Sequence, residues 1–113
     1  KKGAVASSTA EEGNNIVVSG ASFDDMLLAV KAIRKAGGGS AVCVDGKLIA
    51  LRPMPFCGIM GTGSIREEIA AEEKFSEGLK ATGSENPMLM LMLTVSLCPS
   101  IPEIGLTDKG LIL

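Results

Sequence analysis

Glu68 and Glu72 are the residues whose type and spacing best suit chemistry. They lie four residues apart in a segment of helical periodicity, so a helix would place both carboxylates on one face, one turn apart. Paired carboxylates can act as general acid and base or can bind a metal ion. The general behaviour of surface helices favours the simpler interpretation, in which both glutamates are solvated beside an apolar stripe.

No other group of residues completes a catalytic set. The sequence contains no histidine, so serine and cysteine lack their usual general base. The three cysteines, Cys43, Cys57 and Cys98, are far apart, and none belongs to a Cys-x-x-Cys pair. We therefore predict reduced, buried thiols and no metal site in this chain.

Two glycine-rich runs resemble phosphate-binding loops only in part. Gly37–Gly39 follows a predicted helix instead of preceding one, which favours a C-cap. Gly58–Gly63 does precede a predicted helix, but it lacks the Gly-Lys-Ser/Thr of a Walker loop. Anion binding at the second run is the less favoured alternative.

The first half of the chain predicts a strand, a helix and a hairpin. Ile16–Val18 is a short β-branched run. Ser22 is the predicted N-cap of a helix, with Asp25 as its return partner, and the helix should end near Ala36. Asp45-Gly46 separates two apolar runs and predicts a type I′ turn. The predicted apolar face of the helix comprises Phe23, Met26, Leu27, Ala29, Val30 and Ile33.

The second half predicts one more helix and further strands. A capping box at Ser64 should open a helix that runs from Ile65 to about Ala81. Met88–Leu97 alternates with a period of two and is predicted as a buried strand, although its unbranched residues also favour a helix. Leu111–Leu113 is a predicted final strand, and Gly3–Thr9 is interpreted as an edge strand or an extended lead-in.

The predicted order β-β-α-β-β-α-β-β indicates an α+β fold. We expect a two-layer sandwich in which a mixed or antiparallel sheet carries two helices on one face. A chain of 113 residues that is 46% hydrophobic can bury one sizeable core, so a single domain over residues 1–113 is expected.

Charge and composition exclude several partners. The formal net charge is −2, and the aromatic residues are three phenylalanines, which argues against nucleic acid and anionic membranes. The longest apolar run is about half of what a membrane span needs, and the N-terminus lacks the apolar core of a signal peptide. A cytoplasmic location is expected.

The apolar loop before the second helix is a candidate contact surface. Two prolines and a glycine between residues 53 and 58 exclude regular structure there. Exposing its four large apolar side chains, Met54, Phe56, Ile59 and Met60, would create an unusual patch. We predict that these residues form an inter-domain or dimer contact.

Several short segments stand in order along the whole chain: Asn15–Val18 with Gly20, Asp25-Met26 with Ala29-Val30, Gly37–Gly39, Asp45–Lys47, Pro53 and Pro55 with Gly58–Met60, and Ile101–Ile104 with Leu106–Leu111. Together they resemble the C-terminal domain of adenine deaminase, in the amidohydrolase superfamily. The closing Ile-Pro-Glu with Leu-Thr-Asp-Lys-Gly-Leu, taken with the Gly-Gly-Gly hairpin, is the most specific part of this resemblance.

This resemblance implies a longer polypeptide that acts in purine metabolism. Its upstream catalytic barrel would use a divalent metal, manganese or iron, to hydrolyse adenine to hypoxanthine and ammonia. The metal ligands would lie in that barrel, and the present chain would be inactive alone. The implied partners are the barrel, a purine base through the parent enzyme and, as a further possibility, a second copy in a homodimer.

One stretch departs from the family pattern. Where members commonly carry a His-Asp-Ser-His-Asn-like sequence, this chain has Glu11-Glu12-Gly13-Asn14-Asn15. The resemblance implies a substrate-proximal loop in which Glu11, Glu12, Asn14 and Asn15 would donate or accept hydrogen bonds. The alternative from a different class is a stand-alone oligomerisation or small-ligand-binding module without catalytic activity.

Overall fold

The computed structural model describes residues 2–10, 15–86, 88–96, 98, 103–107 and 109–112. In chain order the elements are β1 (Ala4–Ser7), β2 (Val17–Gly20), α1 (Phe23–Ala36), β3 (Gly39–Val44), β4 (Lys47–Pro53), α2 (Ile65–Ala81), α3 (Leu89–Val95), β5 (Gly105–Thr107) and β6 (Gly110–Ile112).

The main sheet has the strand order β2-β1-β3-β4, and every neighbouring pair is antiparallel. The predicted α+β class and the antiparallel sheet are confirmed. The edge position predicted for Gly3–Thr9 is wrong, because β1 lies between β2 and β3 and all four of its residues are buried. Polar and apolar residues alternate only weakly in β1 because both of its faces are covered. Ala4 and Ala6 are therefore apolar, as Val5 is.

Helices cover both faces of this sheet, which corrects the predicted arrangement with two helices on one face. Adjacent residues of β3 belong to opposite cores, as the pleat requires. The core on the α1 side contains Ala6, Ala29, Ile33, Ala41 and Cys43. The core on the α2 side contains Val5, Val42, Val44, Ala50 and Phe75, with Leu79, Leu89, Met90 and Leu93 packed against it. The continuous apolar run in β3 is the sequence signal of this double coverage.

Helix α1 begins and ends where its capping residues predicted. The Asp25 amide donates to Ser22 Oγ at 3.4 Å, and Gly37 takes the left-handed conformation with φ 79°. The carboxylate of Asp25 does not return to the cap. Its Oδ1 accepts a hydrogen bond from the Gly46 amide at 2.8 Å, which ties the helix to the β3–β4 turn. Of the predicted apolar face, Ala29 and Ile33 are buried, whereas Phe23 and Leu27 are exposed.

The hairpin and helix α2 also follow the prediction. Asp45 and Gly46 have φ of 52° and 74°, as a type I′ turn requires. The capping box at Ser64 is complete, because Glu67 Oε2 accepts from the Ser64 amide at 2.7 Å. Helix α2 spans Ile65–Ala81.

The strand predicted over Met88–Leu97 is wrong, because Leu89–Val95 form helix α3. Unbranched leucine and methionine have high helix propensity, which decided this ambiguous pattern. The Asn86 side-chain oxygen accepts from the Met88 amide at 2.9 Å, just before the helix. The last described strands, β5 and β6, pair as a separate antiparallel hairpin, and Leu113 lies outside the described residues.

Candidate functional site

A row of polar residues crosses the α2 side of the sheet at one end. Ser7 of β1 pairs with Ser40 of β3, and Ser40 pairs with Arg52 of β4. The next residue pair on this face of the same two strands, Val5 and Val42, is apolar. The polar row therefore marks the place where the apolar core on the α2 side ends.

The hydroxyl groups in this row form a buried hydrogen-bonded cluster. Ser7 Oγ lies 2.7 Å from Thr9 Oγ1 and 3.1 Å from Ser40 Oγ. It also accepts from the Thr9 amide at 3.1 Å. Ser7 is fully buried and Ser40 is almost so. The cluster fixes the backbone that leads from β1 toward residues 11–14.

The two candidate carboxylates, Glu68 and Glu72, meet at Arg52. The Arg52 guanidinium donates to Glu72, and its Nε lies 4.0 Å from Glu68 Oε2. Glu68 Oε1 also accepts from the Gly63 amide at 3.2 Å. Arg52 Nε is buried and has no hydrogen-bond partner among the described residues. The glutamates are thus neither merely solvated nor arranged as an acid–base pair: they form an ion-pair cluster that links α2 to β4.

A cavity of about 440 Å³ opens beside the polar row. Four polar residues line it: Thr9, Ser40, Arg52 and Glu72. Its apolar walls are Met54, Ile59, Met60, Phe75 and Met90. Such a volume, in which apolar walls meet several convergent polar groups, suits a small-molecule site. Two other cavities, of about 480 and 470 Å³, adjoin residues 82–86 at other places on the surface.

The apolar loop forms one wall of this cavity and is held by backbone hydrogen bonds. Phe56 and Met60 exchange amide-to-carbonyl bonds at 3.1 Å, which closes a tight turn. Ser8 Oγ donates to the carbonyl of Gly58 and so fixes the turn to the end of β1. Of the four predicted contact residues, Met54 is buried within the domain, whereas Phe56, Ile59 and Met60 are exposed.

The predicted substrate-proximal loop is described only at its end. Asn15 is exposed, and Glu11, Glu12 and Asn14 lie outside the described residues. The residues that lead into this loop, Thr9 and Ala10, lie at the same end of the sheet as the cavity, and Thr9 lines it.

The cysteines divide into two classes. Cys43 and Cys98 are buried, as predicted, but Cys57 is exposed. Cys43 and Cys57 are free thiols. Burial raises the pKa of the Cys43 thiol, and the nearby Asp25 carboxylate raises that pKa further. Cys57 is exposed because the turn that carries it lies on the surface. Its position in a short apolar-rich loop had suggested burial.

The described ranges bear on metal binding and on membrane insertion. No group of three or more His, Cys, Asp or Glu side chains is placed there to hold a metal ion. None of the helices in these ranges is long and apolar enough to cross a membrane.

The hydroxyl cluster and Arg52 were not singled out from the sequence. The sequence carried only part of the signal. A two-residue turn at Asp45-Gly46 by itself places Ser40 opposite Leu51, and the β-bulge between Val42 and Cys43 brings Arg52 into that position instead. The two polar residues then interrupt a face that is otherwise apolar. Only the position of α2 shows that this interruption meets Glu68 and Glu72.

Comparison with known proteins agrees with this architecture. The family model for the adenine deaminase C-terminal domain matches residues 1–112. An adenine deaminase 2 from Carboxydothermus hydrogenoformans is 37% identical over 113 residues, which cover 99% of this chain and 20% of that protein. An adenine deaminase from Chelativorans sp. is 39% identical over 115 residues, which cover 100% of this chain and 18% of that protein.

A third relative, an adenine deaminase 1 from Latilactobacillus sakei, is 37% identical over 110 residues, which cover 97% of this chain and 18% of that protein. The chain therefore spans about a fifth of the length of the curated relatives that it matches. It belongs to the family of adenine deaminase C-terminal domains.

Proposed function

We propose that this chain is the C-terminal accessory domain of an adenine-deaminase-like hydrolase and is inactive alone. The reaction of the parent enzyme is the hydrolysis of adenine to hypoxanthine and ammonia, a step of cytoplasmic purine metabolism. The observation that carries the proposal is the match of residues 1–112 to a domain that makes up only 18–20% of relatives named adenine deaminase.

A divalent metal, manganese or iron, belongs in this proposal to the catalytic barrel of the parent enzyme. The described residues of this chain do not fit such an ion. Glu68 and Glu72 are already paired with Arg52. The sequence supplies no histidine to complete a ligand set around them.

The exposed turn is the proposed contact with the barrel. Phe56, Ile59 and Met60 are each 42–55% exposed. The turn is preorganised by its own backbone hydrogen bonds and by Ser8, so docking would order little additional chain. Clustered exposed apolar side chains on an ordered turn are characteristic of protein contacts. A homodimer through the same turn is the competing use of this surface.

The loop over residues 11–15 is proposed to approach the substrate from the same end of the molecule. Its support is the position of Thr9, which leads into the loop and shares a cavity with Ile59 and Met60. A barrel that contacts the turn would therefore lie near Thr9, and the proposed substrate-proximal residues Glu11, Glu12, Asn14 and Asn15 follow Thr9 closely in the sequence. Their carboxylates and amides can accept or donate hydrogen bonds to a purine.

An ammonia-release assay tests this function. Three proteins are compared with adenine and manganese: the full-length polypeptide, the upstream part alone, and the 113-residue chain. We expect ammonia from the full-length protein and none from the 113-residue chain. Ammonia from the isolated chain would contradict inactivity alone, and an inactive full-length protein would contradict the adenine deaminase assignment.

A further inference from the structure

The cavity beside the polar row retains one unused hydroxyl proton. Thr9, Ser7 and Ser40 carry three hydroxyl protons, and Ser7 Oγ makes one hydrogen bond with each neighbouring hydroxyl. Ser7 Oγ already accepts from the Thr9 amide, so it can accept only one more bond and must donate the other. In either direction of this chain of hydrogen bonds, one hydroxyl proton, on Thr9 or on Ser40, is not used within the cluster. Both residues line the cavity.

An acceptor faces the same space. Glu72 lines the cavity and uses one carboxylate oxygen, Oε2, to bind Arg52. Its second oxygen makes no hydrogen bond within the described part of the chain, and the side chain is 53% exposed. The cavity thus offers one hydroxyl donor and one carboxylate acceptor. A ligand with neighbouring acceptor and donor atoms complements this pair.

The remaining walls favour a flat, polarizable ligand. Three methionines, Met54, Met60 and Met90, line the cavity together with Phe75. Methionine thioethers adapt to irregular shapes and make favourable contacts with aromatic rings. An aromatic ring therefore makes apolar contacts with these walls that equal those of a saturated ligand of the same size. The aromatic ring also gains contacts with the methionine sulfur atoms.

The local charge selects against anions. Arg52 contributes one positive charge, and Glu68 and Glu72 contribute two negative charges within the same cluster. The net charge of this group is therefore −1. A phosphate group would meet this negative charge with Arg52 already paired, so a nucleotide is disfavoured relative to the free base.

We propose that this cavity binds an uncharged planar nitrogen heterocycle through the Thr9/Ser40 hydroxyls and the Glu72 carboxylate. The ring takes a hydrogen bond on an acceptor nitrogen or carbonyl and donates one from an N–H to Glu72. The choice of a free purine base as the test ligand rests on the proposed function, whereas the heterocycle class rests on the cavity itself.

Methionine methyl NMR tests the proposal on the unmodified 113-residue chain. The sequence has six methionines, of which Met54, Met60 and Met90 line the cavity. Met26 lies on α1, on the opposite side of the sheet. Adenine titrated into ¹³C-methyl-methionine protein should shift the three cavity signals saturably, because of its ring current, and leave Met26 unchanged. Absence of saturable shifts, or shifts confined to Met26, would overturn the proposal.

A matched pair of double variants identifies the donor. Thr9→Val with Ser40→Ala removes both positions that can hold the free proton, and we expect adenine affinity to fall about 3- to 10-fold, as for one lost hydrogen bond. Ser19→Ala with Ser76→Ala removes two exposed hydroxyls elsewhere and should leave the affinity unchanged. Equal losses in both doubles would contradict the assigned donor. The NMR titration does not depend on whether the first variant folds.

Ligand choice and assay separate this proposal from the parent activity. Adenosine monophosphate should bind several-fold more weakly than adenine, because its phosphate meets the net negative cluster. Tighter binding of the nucleotide would contradict the charge argument. Binding is measured without ammonia release, so an empty cavity would leave the deaminase proposal standing. Conversely, an inactive full-length enzyme would leave heterocycle binding standing.

Discussion

Asp25 shows how a single buried carboxylate can hold two elements together. It is 4% exposed and lies in the first turn of α1, but its oxygen binds the Gly46 amide in the β3–β4 turn. Replacing Asp25 with alanine should destabilise the fold by about 1–3 kcal/mol, since a buried charge-assisted hydrogen bond is lost. Urea unfolding measures the change. Asp24→Ala, one residue earlier and exposed, is the control, and equal effects of the two changes would show that only the helix dipole is involved.

The thiols should differ in reactivity because only thiolate reacts with electrophiles. Burial and Asp25 raise the pKa of Cys43, so less thiolate exists there at any given pH, and the group is also inaccessible. Cys57 is exposed. A short pulse of iodoacetamide on the native chain, followed by mass spectrometry, should therefore modify Cys57 and spare Cys43. Modification of Cys43 at the rate seen in denaturant would contradict its buried position.

The capping box should make stability depend on pH. The amide and hydroxyl of Ser64 lower the pKa of Glu67 below its ordinary value of 4.5. A depressed folded-state pKa contributes stability above the unfolded pKa, and that contribution is lost as the pH falls through the folded value. Glu67→Gln should therefore be less stable than the unmodified chain at neutral pH, and the difference should shrink on acidification below about 4.5.

Thermal unfolding at several pH values measures this difference. Glu73→Gln is the matched control, because Glu73 is exposed on the same helix and forms no hydrogen bond or ion pair with the described residues. If the Glu67 and Glu73 variants follow the same pH dependence, the cap is not the source of the effect.

At the scale of elements, the close approach of β3 to β4 depends on Gly39. Its φ is 131°, and an added Cβ would lie 2.0 Å from the Arg52 carbonyl oxygen, which is backbone and cannot move aside. Gly46 is a matched control, since its φ is 74° but nothing lies within 4 Å of an added Cβ. We expect Gly46→Ala to cost about 1–2 kcal/mol of unfolding free energy, and Gly39→Ala to prevent stable folding of the hairpin. Circular dichroism and urea unfolding of both variants check this, and equal costs would show that only backbone conformation matters.

The elements predicted correctly are those whose ends carry their own chemical signals. Ser22, Gly37 and the Ser64 capping box fixed both long helices, and Asp45-Gly46 fixed the hairpin. These signals are local, so the sequence contains them completely. Helix α3 was missed because alternating leucine and methionine satisfy a period of two as well as helix propensity, and no side-chain cap marks its start.

The layers and the site depended on contacts that are distant in sequence. The continuous apolar run in β3 indicates a strand covered on both faces, but it does not say which helix covers which face, so the sequence alone did not place α1 and α2 on opposite faces. For the same reason, Glu68 and Glu72 were identified as a pair, but their partner Arg52 was not, since it lies on β4. The predicted contact residue Met54 is buried because its amide binds the Gly38 carbonyl and draws that end of the loop onto the sheet.

For the whole molecule, the features that bear on function gather at one end of the sheet. The exposed turn, the cavity and the strand that leads to residues 11–14 are joined by Ser8, which binds both Gly39 and Gly58. The opposite end carries the β3–β4 turn. A partner that covers the exposed turn of Phe56, Ile59 and Met60 would therefore also cover the mouth of the cavity. Docking and ligand binding should then influence each other through this shared end.

Two exposed phenylalanines test which surface contacts the proposed catalytic part. Phe56 lies on the proposed docking turn, and Phe23, which is 87% exposed, lies at the start of α1. Because neither side chain is buried, alanine at either position should leave the unfolding free energy within about 0.5 kcal/mol. Phe56→Ala alone should weaken binding of this chain to the separately expressed catalytic part by about tenfold or more, as loss of an aromatic anchor does.

Isothermal titration calorimetry of the two variants against the catalytic part gives the answer. Weakening by Phe23→Ala without an effect of Phe56→Ala would place the contact on α1 and separate it from the cavity. Weakening by neither would remove both apolar surfaces from the interface. If Phe56 alone matters, adenine saturation should also change the affinity for the catalytic part, because Ile59 and Met60 of the same turn line the cavity. That coupling follows because the proposed docking turn is also a wall of the cavity.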